Sequence, residues 1–330
     1  MIPQSTIESI LVSYGIGTFV SIKKIEEGVL NHNFLLVTSS GSYFIKSNTV
    51  KVKASIAYTD IAEKFMLKKG IPVVAMLSTK EGHSYVEIDG NVYMLYPFVE
   101  SDRRHEYSPA DYEAMGKMLG RIHKAGSKDI PQIFLDRSGA KKVREVEVEN
   151  LLKWKEKIES LEQRDAADEL LLKDIIFKLK KVDELEDVQP AEKDTLIHGD
   201  YHAGNILFDK TTRELIGVCD WEKAMYSFRA YELSRAIMYI CFPEGFSVDR
   251  SFEAASPFLK AYQHEYPIEK EKLTHAMKYR AYRMAISSWI EDYYYNGKSD
   301  RANHFIEHEI SRIELFTDEK TIKRVTDLLD

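Results

Sequence analysis

Residues 198–221 read HGDYHAGNILFDKTTRELIGVCDW, and this stretch decides the prediction for the whole chain. Its two apolar runs, ILF and LIGVC, are separated by a polar turn, which predicts two short strands joined as a hairpin. Asn205 directly precedes the first strand and Asp220 directly follows the second, so the hairpin should bring their side chains together. Asp200 lies five residues before Asn205 on the same loop. The stretch therefore gathers two carboxylates and one carboxamide at one place.

These three side chains match the needs of phosphoryl transfer. Carboxylate and carboxamide oxygens are hard ligands of the kind that Mg²⁺ prefers, and Mg²⁺ usually shares its coordination with substrate phosphates. A carboxylate on the same loop can accept or orient the attacking hydroxyl. Gly204 gives the backbone freedom to turn just before Asn205. The pattern predicts a loop that offers a base and metal ligands together.

The N-terminal part is predicted to be a small antiparallel sheet with a helix. Strand-like runs occupy 20–46, with a Ser-Ser-Gly turn before the last of them, which ends in Lys46. Considered alone, a lysine at this position either keeps an exposed edge strand soluble or binds phosphate. The loop at residues 198–221 favours the second interpretation. A helix over 54–69 carries Asp60 and Glu63. Either acid could pair with Lys46, or both could be solvated surface charges.

Two further segments are candidate nucleotide contacts. Gly28 and Asn31 lie in a turn with a single glycine, which is either an ordinary turn or a lid whose backbone N–H groups meet phosphate. Strands are also predicted near 72–77, 84–88 and 91–96. The last leaves the sheet at a proline, which suits a crossover between lobes or an ordinary strand end. Resemblance to a kinase-like fold would make this crossover the place where adenine meets backbone groups, at Tyr96, Pro97, Phe98 and Val99.

The rest of the chain, from about residue 108, is predicted to be mostly helical. Residues 143–186 have apolar stripes and interspersed Lys and Glu, which favours a helical hairpin over a nucleic-acid patch. The acceptor would be held by this helical part, and six residues are unranked candidates for contacts with it: Asp102, Arg103, Glu222, Arg283, Trp289 and Tyr293. Acids among them favour a cationic acceptor and arginines favour a carboxylate.

Composition excludes several classes. The 330 residues carry 46 Lys and Arg against 53 Asp and Glu, a net charge of −7, which argues against nucleic acid. The two cysteines have no metal-ligand spacing, and they are expected to be reduced core thiols. There is no signal-peptide pattern and no apolar run long enough to span a membrane. We therefore expect a cytoplasmic protein with no membrane or nucleic-acid partner, either a monomer or a homodimer.

The motif H-G-D-x-H-x-G-N-I-L-F-D, followed by a strand and C-D-W-E, resembles the aminoglycoside phosphotransferase family. That superfamily includes choline kinases, homoserine kinases and methylthioribose kinases, and its members share a protein-kinase-like fold. The resemblance implies an α+β bilobal protein, with a small antiparallel sheet and one helix in residues 1–98 and a larger, mainly helical lobe in 99–330.

The resemblance also assigns roles to residues. It implies that Asp200 is the catalytic base, that Asn205 and Asp220 bind Mg²⁺, and that Lys46 binds the phosphates of ATP. His198 resembles the structural histidine of the loop. Glu232 falls where the family often has an aspartate, and it is expected to be a buried anchor for the loop.

Together these features predict an ATP- and Mg²⁺-dependent kinase that phosphorylates a hydroxyl of a small molecule, such as an amino alcohol, homoserine, a sugar or an aminoglycoside. The general resemblance favours the homoserine-kinase-like or spore-coat-like branch. The family often has Gly-Asp-Pro after D-W-E, and here that place holds Tyr226 to Arg229, which weakens any assignment to one branch. The alternatives are a nucleotide-binding scaffold without turnover and a protein Ser/Thr kinase.

Overall fold

A computed structural model of the chain describes residues 2–25, 32–49, 53–102, 106–136, 144–185, 188–297 and 303–330. The chain divides into two compact units. The first contains Met1–Tyr107, Arg121–Asp136 and Thr195–Tyr226, and the second contains Ser108–Gly120, Arg137–Asp194 and Ser227–Asp330. The predicted lobe boundary between residues 98 and 99 stays a prediction.

The first unit is built on a five-stranded antiparallel sheet in the order β1-β2-β3-β5-β4. The strands are β1 Phe19–Ile25, β2 His32–Thr38, β3 Gly41–Thr49, β4 Val86–Ile88 and β5 Asn91–Pro97. Two helices accompany the sheet, α1 Gln4–Tyr14 and α2 Lys53–Lys68. The sheet predicted from the alternating apolar runs is therefore confirmed.

The central strands carry buried apolar residues on both faces, and alternation along the strands decides which residue faces which helix. Ile45 packs with the α1 residues Ile7 and Ile10 in one apolar cluster. Met94 packs with Ile56 of α2 in a second cluster. Lys46 pairs directly opposite Met94 in the β3–β5 register, so it lies on the α2 face of the sheet. The fold thus directs this lysine into a covered face.

Residues 72–77 do not form the predicted strand. They contain one isolated bridge, between Val73 and Val218, and the N–H of Val74 donates to the Val218 carbonyl at 3.0 Å. The N–H of Leu77 donates instead to Leu95, at 2.7 Å. Pro72 has no N–H to offer, and the segment divides its remaining bonds between β5 and a second strand, so no continuous ladder develops.

The hairpin predicted in residues 198–221 is confirmed. Strands β7 Ile206–Phe208 and β8 Leu215–Val218 pair antiparallel, with Ile206 opposite Val218. Short strands on either side, β6 Thr195–Ile197 and β9 Met225–Ser227, pair with each other. The segment that contains the hairpin is consequently held at both ends by strand pairing.

The second unit is helical. Helix α3, Pro109–Gly126, begins in it and ends in the first unit, where α4, Gln132–Leu135, follows. Helices α5 and α6 form the predicted helical hairpin. The remaining helices are α5 Arg144–Glu159, α6 Ala166–Glu184, α7 Arg229–Ala236, α8 Val248–Glu265, α9 Lys270–Ala285, α10 Trp289–Tyr295, α11 Ile306–Thr317 and α12 Glu319–Thr326. Within the described part of the chain, none of the helices has the length and apolarity to cross a membrane.

Candidate active site

His198 connects the two halves of the loop. Its Nδ1 accepts a hydrogen bond from the backbone N–H of Asp200 at 3.1 Å, and its Nε2 lies 2.9 Å from the carbonyl oxygen of Cys219. Because Nδ1 accepts, the neutral ring carries its proton on Nε2 and donates it to that carbonyl. The ring is fully buried, 4.5 Å from the ring of Trp221. These contacts tie the backbone of Asp200 to the residue just before Asp220, as expected of a scaffold residue.

The two predicted metal ligands lie on adjoining backbone segments. The N–H of Cys219 donates to the Asn205 carbonyl at 2.9 Å, which joins Asn205 to the strand that ends at Asp220. The side-chain Nδ2 of Asn205 donates to the carbonyl of Asp200 at 3.0 Å. That bond commits the amide nitrogen and leaves the carboxamide oxygen as the atom able to bind a cation. Asp200, Asn205 and Asp220 are thus brought together, as the sequence predicted.

Asp220 has a left-handed backbone conformation, with φ of 66° and ψ of 60°. Residues other than glycine adopt this conformation rarely, aspartate more readily than most, and such strain often occurs at functional sites. Its Oδ1 accepts from Lys46 Nζ at 2.9 Å. The strained turn therefore presents the carboxylate to the sheet of the first unit.

Lys46 is paired with acids other than those expected. Its ammonium lies 2.9 Å from Asp220 and 2.8 Å from Glu222. Burial would lower the pKa of Lys46, but these two carboxylates outweigh it and raise the pKa above its ordinary value, so the ammonium is permanent. Asp60 and Glu63 were the predicted partners, and neither forms this ion pair. Spacing along one helix could not show which carboxylates reach a lysine from a loop 174 residues away.

The two α2 acids have separate contacts. Asp60 pairs with Lys64 one helical turn later, at 2.7 Å. Glu63 is fully buried, and its Oε2 accepts from the N–H of Met76 at 2.8 Å while its Oε1 has no hydrogen-bond partner. Burial raises the pKa of Glu63 to about 8, against the lowering effects of the Met76 amide and the charge of Lys46. Glu63 is therefore a carboxyl group with unused hydrogen-bonding capacity, and it is close enough to Lys46 to feel its charge.

Glu63→Gln is expected to change how stability depends on pH. The folded-state pKa of Glu63, about 8, exceeds its ordinary value of 4.5, so between these values the native state binds the extra proton. The free energy of unfolding of the wild type should therefore fall as pH rises through that window, and the Gln variant should lack this part of the fall. We expect it to exceed the wild type by on the order of 1 to 3 kcal/mol near pH 9.

Urea unfolding of both proteins at about pH 5 and about pH 9 measures this difference. Glu8→Gln, at an exposed site on α1, is the matched control and should leave the slope unchanged. Parallel pH dependences of the wild type and Glu63→Gln would refute the assignment.

Lys223 is a functional candidate that the sequence reasoning missed. Its Nζ donates to Asp200 Oδ2 at 2.8 Å. The backbone brings it there, because Gly199 has φ of +82° and a Cβ at that position would lie 2.1 Å from the Lys223 carbonyl oxygen. Only glycine permits that approach. The one sequence signal was a lysine directly after D-W-E, and nothing in it distinguishes Lys223 from a surface lysine.

His202 lies next to the same carboxylate, at a longer distance. Its Nδ1 accepts from the N–H of Gly204 at 3.1 Å, which stabilises the turn before Asn205. Its Nε2 is 4.0 Å from Asp200 Oδ1. The measured contacts thus give His202 a part in the structure of the loop.

The other predicted contacts are placed as follows. The Lys46 ammonium lies 5.6 Å from the centre of the Tyr96 ring, and the N–H of Phe98, just past the end of β5, donates to Ser42 at 3.1 Å. Pro97 ends β5, and Val99 is half-buried beyond it. Glu232 is buried on α7 in the second unit. Gly28 and Asn31 lie outside the described residues, and the roles of all these positions stay predictions.

Comparison with known proteins identifies the family. Residues 21–267 match the model of the phosphotransferase enzyme family. The chain belongs to this family. A homoserine kinase of Afipia carboxidovorans is 27% identical over 264 residues, which cover 79% of this chain and 75% of the relative. A homoserine kinase of Beijerinckia indica is 25% identical over 73% of this chain and 71% of the relative.

Solved structures agree on the fold of this phosphotransferase. A spectinomycin phosphotransferase, in complex with ADP and spectinomycin, matches with a TM-score of 0.66 at 18% identity, over 99% of both chains. The amicoumacin kinase hAmiN, solved in complex with AMP-PNP, Ca²⁺ and Ami, matches with a TM-score of 0.65 at 15% identity, over 99% of this chain and 94% of that one. The predicted family, α+β kinase-like fold and enzyme class, a small-molecule phosphotransferase, are confirmed.

Proposed function

We propose that this phosphotransferase uses Mg²⁺ to move the γ-phosphoryl group of ATP to a hydroxyl of a small molecule, with homoserine as the first candidate acceptor. The observation that carries the proposal is the single loop, held by His198, that joins Asp200, Asn205 and Asp220. Homoserine kinases among the relatives support the acceptor, and the nucleotides and Ca²⁺ in similar structures support the donor and a divalent cation.

In the proposed reaction Asp200 orients the acceptor hydroxyl and takes its proton. The hydroxyl oxygen forms a bond to the γ-phosphorus, the bond from that phosphorus to the β,γ-bridging oxygen breaks, and ADP leaves with the electron pair. The proton passes from the Asp200 carboxyl to solvent before the next cycle. An aspartate is adequate for this role because positioning contributes more to phosphoryl transfer than basicity does.

The residues present fit a Mg²⁺ ion. Within the described ranges no group of three or more His, Cys, Asp or Glu side chains could hold a metal. Mg²⁺ needs no such cage, since one or two protein oxygens with phosphates and water complete its shell. Asn205 offers its carboxamide oxygen and Asp220 its carboxylate, both hard donors. When bound, the ion neutralises phosphate charge, which is the chemistry it would supply at these residues.

Lys46 would bind the phosphates of the nucleotide. Its ammonium is held on the covered face of the sheet by Asp220 and Glu222, so it is preorganised near the proposed metal ligands. We propose that Glu63 becomes a further partner of Lys46 when phosphates and metal compete for Asp220. The buried Oε1 of Glu63, which has no hydrogen-bond partner, supports this role.

Lys223 would position Asp200. Its ion pair fixes one carboxylate oxygen of Asp200 at 2.8 Å and so orients the group that would accept the hydroxyl proton. Lys223→Met is expected to lower kcat by about tenfold to a hundredfold through misplacement of the carboxylate, with a much smaller change in the acceptor KM. Lys223→Arg should restore most of kcat because a guanidinium can make the same pair.

Steady-state ADP formation at saturating ATP measures both constants for these variants. Lys210→Met is the matched control, because Lys210 is an exposed lysine of the same hairpin that pairs with Glu100. Equal loss of kcat in Lys223→Met and Lys223→Arg would contradict a positioning role, as would wild-type kcat in Lys223→Met.

The acceptor is tested by ADP release in the presence of homoserine, amino alcohols, sugars and aminoglycosides. We expect acceptor-dependent turnover with the highest kcat/KM for homoserine. If an aminoglycoside or a sugar gave the highest value instead, homoserine would be excluded as the main acceptor while the phosphotransferase reaction stood.

We further propose that the protein works in the cytoplasm, as a monomer or homodimer, without nucleic-acid or membrane partners. Cys219 and Cys241 are both free thiols, which supports a reducing compartment. The net charge of −7 supports the absence of a polyanionic partner.

A further inference from the structure

Four arginines of the second unit converge on two tyrosines. Arg235 lies on α7, Arg280 and Arg283 lie on α9, and Arg312 lies on α11. These four residues are called the arginine cluster. All four are half-buried, as are the two tyrosines, Tyr231 and Tyr239. None of these residues belongs to the phosphoryl-transfer loop.

Three of the guanidinium groups surround one aromatic ring. The distance to the centre of the Tyr239 ring is 4.4 Å for Arg312, 4.9 Å for Arg235 and 5.8 Å for Arg280. Arg280 also donates to the hydroxyl of Tyr231 at 3.2 Å and to that of Tyr239 at 3.1 Å. The cations are therefore packed against neutral hydroxyls and π faces, which offset only part of their mutual repulsion.

Acidic partners are scarce around this cluster. Among the residues that the structure describes, Arg280, Arg283 and Arg312 form no ion pair with a carboxylate, and Arg280 Nε is buried without a hydrogen-bond partner. Glu309 is close enough to influence Arg280 and Arg312. However, its Oε1 accepts from Trp289 Nε1 at 2.8 Å, and its Oε2 lies 3.7 Å from the Lys178 ammonium. Glu244, the other acid that influences Arg312, lies 2.8 Å from His308 Nε2. These two carboxylates have partners of their own, so they offset only part of the charge of Arg280, Arg283 and Arg312.

The electrostatics of the neighbouring groups agree with a surplus of positive charge. Burial by itself would raise the pKa of Tyr231, yet Arg280, Arg283 and Arg235 outweigh burial and lower it. The pKa of Arg312 is also lowered, by burial and by the charge of Arg280, against the opposite effects of Tyr239, Glu309 and Glu244. The lowered pKa of Tyr231 means that a negative charge is stabilised at its hydroxyl, whereas the lowered pKa of Arg312 follows mainly from burial.

The backbone at Tyr239 is also unusual. Residues Ile237–Cys241 form a π-helical turn directly after α7. Such turns are rare, and they occur often at functional sites because they re-aim side chains that a regular helix would place elsewhere. This turn carries the ring around which the guanidinium groups gather.

We propose that the arginine cluster is a binding site for a small oxyanion, of the carboxylate or phosphate class. Guanidinium groups recognise both anions through paired N–H donors, and a half-buried setting strengthens such charge-assisted bonds. The tyrosine hydroxyls that Arg280 now contacts supply two more polar groups at the same place. The site differs from the nearby ion-pair group in which the ammonium of Lys178 lies between the carboxylates of Asp174 and Glu291. In that group the positive charge is already balanced by acids.

Calorimetric titration of the full chain with inorganic phosphate and, separately, with acetate tests the proposal, with chloride keeping ionic strength constant. We expect saturable binding of at least one anion at one site per chain, and Arg312→Gln should weaken it about tenfold or more. Binding of phosphate but not acetate would identify a phosphoryl ligand, and the reverse would identify a carboxylate. The readout needs no nucleotide, so it is independent of the phosphotransferase reaction.

Arg324→Gln is the matched control, because Arg324 is an arginine of the same unit that lies 3.7 Å from the centre of the Phe252 ring and has its own carboxylate, Asp249. It should bind the anion like the wild type. Arg283→Gln replaces Arg312→Gln if near-UV circular dichroism shows that the latter is not folded. Absence of saturable binding, or unchanged affinity in the cluster variants, would overturn the proposal.

Discussion

Asp200→Asn is expected to lower kcat by about 10²- to 10⁴-fold, while the KM values for ATP and for the acceptor stay within a few-fold of wild type. The carboxamide has nearly the shape of the carboxylate, so the loop that His198 ties together should survive. What is lost is the group that accepts the hydroxyl proton, together with the ion pair to Lys223. ADP formation with the preferred acceptor gives both constants.

The control for this substitution is Asp209→Asn. Asp209 lies in the turn of the same hairpin, and its carboxylate accepts from the backbone N–H groups of Thr211 and Thr212. Both bonds end on the same oxygen, Oδ1, so an asparagine oxygen can keep them, and this variant should retain nearly full kcat. A wild-type kcat in Asp200→Asn, or an equal loss in both variants, would remove Asp200 from the chemistry.

Asp220→Asn is expected to have the second large effect. The substitution replaces a charged oxygen ligand with a neutral carboxamide oxygen and removes the charge that holds the Lys46 ammonium at 2.9 Å. We expect kcat to fall by about a hundredfold or more, because both the cation and the lysine would stabilise the negative charge that develops on the phosphates. The Mg²⁺ concentration that gives half of the maximal rate should rise about tenfold. A titration of activity with Mg²⁺ measures both changes.

Asp89→Asn is the matched control for Asp220→Asn. Asp89 also has a left-handed backbone, with φ of 50°, so the two substitutions make the same chemical change in the same conformation. It should leave the Mg²⁺ dependence unchanged. If Asp220→Asn kept the wild-type Mg²⁺ dependence, Asp220 would not be a metal ligand.

The loop could be predicted from sequence because its geometry is local. Two apolar runs with a polar turn between them specify a hairpin, and a hairpin places the residues at its two ends side by side. Asn205 and Asp220 are therefore neighbours in the structure as in the prediction. Asp200 follows from the same reasoning, since only five residues separate it from Asn205.

The partners of Lys46 could not be predicted because they depend on tertiary packing. Helical periodicity places Asp60 and Glu63 near the sheet. It does not show whether carboxylates from a distant loop contact the Lys46 ammonium in their place. In the structure Glu222 and Asp220 reach the ammonium, and Glu63 turns to the Met76 amide instead. The same limit applies to the segment 72–77, where β-propensity was present but its hydrogen-bond partners lay on two different strands.

The arginine cluster is a further case of a feature that is invisible in sequence. Its members, Arg235, Arg280, Arg283 and Arg312, come from three helices, and each one alone has the pattern of a solvated helix charge. From sequence, Arg283 is one of six unranked candidates for contact with the acceptor. Only the packing of α9 against α7 and α11 brings Arg235, Arg280 and Arg312 together around Tyr239, with Arg283 close enough to influence Tyr231.

The fate of the γ-phosphoryl group tests the central claim most directly. Phosphorus NMR of ATP, Mg²⁺, the wild-type protein and the acceptor that turns over fastest follows every phosphorus atom in one experiment. The account predicts that a phosphomonoester of the acceptor and ADP appear in equal amounts, and that neither appears with Asp200→Asn on the same time scale. Binding of ATP without any turnover, release of the group only as inorganic phosphate, or its transfer to a protein hydroxyl would contradict it.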